Sequence, residues 1–118
     1  LLFKRSIIDS KRRLKKNLLI KLSKNVFQKG LQRAIVIHSP HESLYISKED
    51  FYHSESPKIQ KKHIKNAVGA GDAFCAGFIY GVHENWAIED TLKKSHAAGS
   101  AMMKIDSSSG NLPNIKKL

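Results

Sequence analysis

Ten consecutive residues, Ala73–Val82, carry no charge, and Gly69 and Gly71 bracket Ala70 just ahead of them. A helix without a charged face has no side that favours water, so this segment is expected to run to about His83 and to be buried on most sides. Gly77 and Gly81 lie four apart on one face and permit close approach of a neighbouring helix. The run is far shorter than the roughly 20 residues that a membrane-crossing helix requires. It therefore reads as a core helix entered through a glycine-rich turn.

The flanking sequence supplies the rest of an α/β arrangement. Asn85-Trp86 interrupts the pattern, and a second helix rich in small residues is expected from about Ala87 to Lys104, completing an αα-hairpin. Upstream, Leu14, Leu18, Leu22 and Val26 recur every four residues between lysines, which predicts an amphipathic helix from Ser10 to about Gly30. Gly30 is placed to end it. Ala34-Ile35-Val36-Ile37 follows as a buried strand, and Ser39-Pro40-His41-Glu42 turns the chain. Leu44-Tyr45-Ile46 and Phe51-Tyr52-His53 are short strands, the first antiparallel to the run before it. Ser107–Asn111 is a turn, and Pro113 opposes further helix.

Chemistry concentrates in Asn66-Ala67-Val68-Gly69-Ala70-Gly71-Asp72-Ala73-Phe74. Small residues at a helix N-terminus let unpaired backbone N–H groups converge at the positive end of the helix dipole, an arrangement that cradles a phosphate or a developing anion. Asp72 is not explained by anion binding. Either it caps the helix, or it accepts a proton from a hydroxyl that attacks a phosphoryl group.

Gly69-Ala70-Gly71-Asp72-Ala73-Phe74, with Ala76-Gly77-Phe78, resembles the C-terminal signature of the PfkB/ribokinase family. The resemblance continues through Tyr80-Gly81, Ile88–Leu92 and the small residues Ala97–Ala101. It implies that residues 1–118 are the C-terminal, phosphate-binding portion of a ribokinase-like three-layer α/β/α fold, incomplete without an N-terminal half and inactive alone. It also implies ATP-dependent phosphoryl transfer to a hydroxyl of a sugar or nucleoside. Asp72 would be the catalytic base, and Gly69, Ala70 and Gly71 the anion hole. His96 falls where relatives place a residue near adenine, although a packing role within the helix pair fits it equally. Mg²⁺ is implied with ATP, as is a monovalent cation beside the anion hole, where Asn66 replaces the usual aspartate. A homodimeric full-length protein belongs to the same set of implications. Asn66, Phe74-x-Ala76-Gly77 and Ser100-Ala101 are most similar to the pseudouridine-kinase branch.

A second reading comes from charge. The chain has 21 Lys and Arg against 10 Asp and Glu, a formal net charge of +11. Between Lys4 and Arg33 the basic residues crowd together, with Asp9 the single acid. Such a segment could serve a non-catalytic module that binds nucleic acid or an anionic membrane, against the simpler expectation of a solvated helix face. His38 and His41 lack the further ligands that a metal site needs, so none is expected. Cys75 is expected to be a packing residue, and a lone cysteine with no apolar leader suits a cytoplasmic protein. No membrane association is expected from the kinase reading.

Overall fold

In the computed structural model, which describes residues 7–59, 62 and 68–104, the first helix begins later than the leucine spacing predicts. Helix α1 spans Lys16–Gln28. The delay originates at Asp9, whose Oδ1 accepts the backbone N–H groups of Lys11 (2.8 Å) and Arg13 (2.9 Å). A short carboxylate that satisfies local donors competes with helix formation, and Arg12 adopts a positive φ of 61°. Ile8 and Leu14 consequently face each other across an antiparallel bridge. Leu14 is a core residue, but it sits on this ribbon and not on the helix.

The buried residues of α1 are Leu19 and Ser23, with Ile20 and Phe27 packed half-buried beside the same core. Leu18, Leu22 and Val26 are only half-buried, so the apolar stripe is rotated from the one expected. The start at Lys16 resets which residues face inward. Gly30 ends the helix as expected: at φ 114° it donates to Phe27 O, and Leu31 donates to Val26 O. That is the paired-bond termination that a left-handed residue after the helix permits.

Strands β1 (Ala34–His38), β2 (Glu42–Ser47) and β3 (Phe51–Glu55) form a sheet in the order β1-β2-β3. β1 and β2 are antiparallel with Ile37 opposite Leu44 and Ile35 opposite Ile46. Leu14, Leu19, Leu44 and Ile46 make the core of the first of two compact units, Leu1–His53. β1 is half-buried where a buried strand was expected, because it lies at one edge of the sheet.

The second unit, Ser54–Leu118, contains α2 (Ala70–His83) and α3 (Ile88–Met103). Asn85 at φ 59° terminates α2: its N–H donates to Val82 O, and that of Trp86 donates to Gly81 O. Trp86 then packs edge-on against Tyr80 at 5.5 Å, with Lys94 Nζ 5.9 Å from its ring. Glu89 and Asp90 place negative charge in the first turn of α3, where the helix dipole favours it. Asn66, Ser107–Asn111 and Pro113 lie outside the described residues.

Candidate active site

Gly69 is the residue that lets the turn exist. It occupies the N-cap of α2 at φ 87° and contributes no side chain to cap the helix. An L-residue there would bear roughly 1–2 kcal/mol of strain. The first bond inside the helix runs from Ala73 N–H to Gly69 O at 2.9 Å. The N–H groups of Gly69, Ala70, Gly71 and Asp72 therefore precede the helical ladder and have no acceptor within it.

Asp72 is the third residue of α2, inside its first turn. It is exposed, and among the described residues its carboxylate takes no hydrogen bond. Of the two roles left open by the sequence, helix capping is not what the structure displays. The N-cap is Gly69, and no side-chain cap bond is made. The arrangement is a carboxylate open to solvent in the same turn as a set of backbone donors that have no acceptor within the helix.

Helix α3 supports this turn from behind. Phe74 receives the ring of His96 edge-on, with centroids 4.9 Å apart. Ala73 packs with Ala98 and Met102. Gly99 approaches so closely that a Cβ on it would lie 3.2 Å from Ala70 O. His96 is 5% exposed, so the structure places it in the helix interface. The contact between Gly99 and the turn is not legible from spacing, because it joins residues almost thirty positions apart; the run of small residues Ala97–Ala101 is its only trace in the sequence.

Cys75 departs from expectation. It is exposed, as are Ala76 and Ile79 on the same helix. The apolar character of α2 predicts burial on most sides, whereas its buried residues are confined to Ala73, Phe74, Gly77 and Gly81.

A second polar cluster, unforeseen from sequence, lies in the first unit. The fully buried Glu42 accepts the Leu14 N–H at Oε2 (2.8 Å), and at Oε1 it meets Arg13 Nη2 (3.1 Å) and His53 Nε2 (2.9 Å). Burial pushes the carboxyl's pKa up, but these three partners outweigh it and hold Glu42 below the usual glutamate range. With its oxygens so occupied, it acts as a structural tie between β2 and the segment ahead of α1.

Comparison with known proteins places this geometry in context. The family model for pfkB family carbohydrate kinases matches residues 10–115. A 1-phosphofructokinase from Borreliella burgdorferi is 33% identical over 84 residues, covering 70% of this chain and 26% of that protein. A 5-dehydro-2-deoxygluconokinase from Lacticaseibacillus casei is 38% identical over 60 residues, 51% of this chain and 18% of that one. The solved structure of phosphofructokinase-2 from Escherichia coli in complex with potassium superposes with a TM-score of 0.67 at 20% identity, covering 88% of this chain and 31% of the other. The chain thus spans about a quarter of the length of the curated 1-phosphofructokinase it matches. With that match across nearly its whole length, and with a ribokinase-like α/β fold, the chain belongs to the pfkB family of carbohydrate kinases.

Proposed function

We propose that this chain serves as the phosphate-binding, C-terminal portion of an ATP-dependent kinase that phosphorylates a hydroxyl of a sugar or nucleoside. The rest of the kinase fold is its partner. The observation that carries the reading is the meeting of first-turn N–H groups that have no acceptor within the helix with an exposed Asp72 whose carboxylate takes no hydrogen bond among the described residues. A phosphate fits this turn: Gly71 has no Cβ to obstruct close approach, and the helix dipole favours negative charge there.

ATP supplies the phosphoryl group, and Mg²⁺ offsets the charge of its phosphates. In this reading, Asp72 accepts the proton of the acceptor hydroxyl as its oxygen bonds to the γ-phosphorus and the bond to the ADP oxygen breaks. The N–H groups of Gly69, Ala70 and Gly71 hold the charge that accumulates on the transferred group, with that of Asp72 beside them. Asp72 is the one carboxylate in this turn among the described residues, so no set of Mg²⁺ ligands is assigned to the chain. The potassium in the phosphofructokinase-2 complex supports a monovalent cation, which the motif resemblance would put beside the anion hole. A phosphorylated fructose, 5-dehydro-2-deoxygluconate and pseudouridine are the acceptors to compare first, the last on the motif resemblance alone. His96 enters as a support for the motif helix, since its ring lies against Phe74.

The test is ATP binding to the assembled kinase by Gly71→Val. A branched side chain at the mouth of the turn should abolish binding, while reversing the charges of Lys11, Arg12, Lys15 and Lys16 leaves turnover nearly intact. If the reversal removes a tight, salt-sensitive nucleic-acid interaction and Gly71→Val changes nothing, the basic-module reading replaces this one.

A further inference from the structure

We propose that Gly99 is a positioning residue of the phosphate-binding turn: by lacking a side chain, it fixes the orientation of the Ala70–Gly71 peptide. The inference rests on the function proposed above and adds the residue that aims one of its donors. Ala70 C=O and Gly71 N–H belong to one planar peptide unit and point in opposite directions. Whatever sets the carbonyl also sets the N–H that faces the transferred phosphoryl.

The carbonyl is set by α3. A Cβ built on Gly99 lies 3.2 Å from Ala70 O and 3.9 Å from Ala70 C. The first distance is closer than ordinary van der Waals contact, and the obstruction is backbone, not the mobile end of a side chain. Gly99 is buried, so the added methyl has no route into solvent. The flanking contacts remove the other escape: Ala98 and Met102 pack on Ala73, and His96 packs on Phe74. With α3 pinned to α2 on either side of the contact, a methyl at position 99 is accommodated by tilting the Ala70–Gly71 peptide by a few tenths of an ångström.

A displacement of that size is small for stability but takes up much of the tolerance of a catalytic donor. Hydrogen-bond donors that act on developing charge must be held to within about 0.5 Å, and misplacement of about 1 Å costs on the order of 10²-fold in rate. Gly81, two turns and more further along α2, gives the contrast. A Cβ there would meet Thr91 and Trp86 and touch no part of the turn. Overpacking at Gly81 loads the helix pair without moving the donors.

The experiment compares Gly99→Ala, Gly81→Ala and Asp72→Asn in the assembled kinase with one accepted substrate, recording kcat, both KM values and the cooperative melt. Gly99→Ala is expected to stay folded, to lose roughly tenfold in kcat, and to keep the acceptor KM within about threefold. Gly81→Ala should lower the melting temperature while kcat of the folded enzyme holds. Wild-type kcat in Gly99→Ala overturns the inference, and so does loss of its cooperative melt, because a 3.2 Å contact asks for a local shift and not for unfolding. Asp72→Asn separates the two ideas. If it is inactive while Gly99→Ala is fully active, only the role of Gly99 fails; if Asp72→Asn is active, the reading of the site fails with it.

Discussion

Glu42 is the residue whose environment least resembles its place in the sequence. A glutamate in a Ser-Pro-His-Glu turn reads as a surface residue, yet its side chain is wholly enclosed and receives three hydrogen bonds. Its pKa is lowered because the Leu14 N–H, His53 and Arg13 together overcome the effect of burial. The unfolded chain therefore takes up the proton before the folded chain does. The stability it contributes is complete above the ordinary glutamate range and is lost as pH falls through that range toward the folded value. Glu42→Gln should cost about 2 kcal/mol near neutral pH, a figure kept modest because Arg13 and His53 are partly exposed. The difference between wild type and variant should shrink on acidification. Denaturant midpoints from circular dichroism at several pH values between neutral and acid check this, and a difference independent of pH would show that the bonds matter only as packing. The same geometry explains why Arg13 is excluded from the charge-reversal set: its guanidinium is committed to Glu42, whereas the sequence alone counts it with the other basic residues.

Glycine- and asparagine-marked helix ends were legible, the start of α1 and helix faces less so. Gly30, Gly69 and Asn85 all stand at positive φ where the sequence marks a boundary, because left-handed backbone favours glycine and asparagine; Arg12, also at positive φ, carries no such mark. The face of α1 was misassigned because the Asp9 turn and the Glu42 bond to Leu14 draw Leu14 out of the helix; a partner 28 positions away leaves no mark on local periodicity. On α2 Gly81 correctly signalled close packing, and Gly77 is buried on the same helix. A Cβ at Gly81 would lie 2.5 Å from Thr91 Cγ2 and 2.8 Å from its Oγ1. Thr91 is fully buried and its hydroxyl donates to Ala87 O, so it has little room to yield. Gly81→Ala should destabilise the helix pair by about 1–3 kcal/mol, despite the gain of roughly 1 kcal/mol in helix propensity. Thr91→Ala in the same chain should recover much of that loss. Thermal melts of both singles and the double mutant measure the coupling; additive effects would mean that the two residues do not compete for space.

The motif turn was the most legible part of the molecule, since its conformation depends on residues adjacent in sequence, while the support behind it comes from α3 through contacts between residues far apart in the chain. Ile79 on α2 is 69% exposed and Val68, just ahead of that helix, 63% exposed, in a chain that spans about a quarter of the 1-phosphofructokinase it matches. No described helix is long and apolar enough to cross a membrane. Charge, the most conspicuous feature of the composition, enters the proposed site least: the lysines of α1 lie on its exposed face, and the turn proposed to meet phosphate is built from glycine, alanine and backbone. What the account stands on is the division of labour within that turn, with backbone donors holding phosphate and Asp72 moving the proton. The direct measurement is kcat and ATP affinity for Asp72→Asn in the assembled kinase with an accepted substrate. The account predicts a loss of roughly 10²-fold or more in kcat with ATP affinity preserved; near-normal turnover in that variant would contradict it.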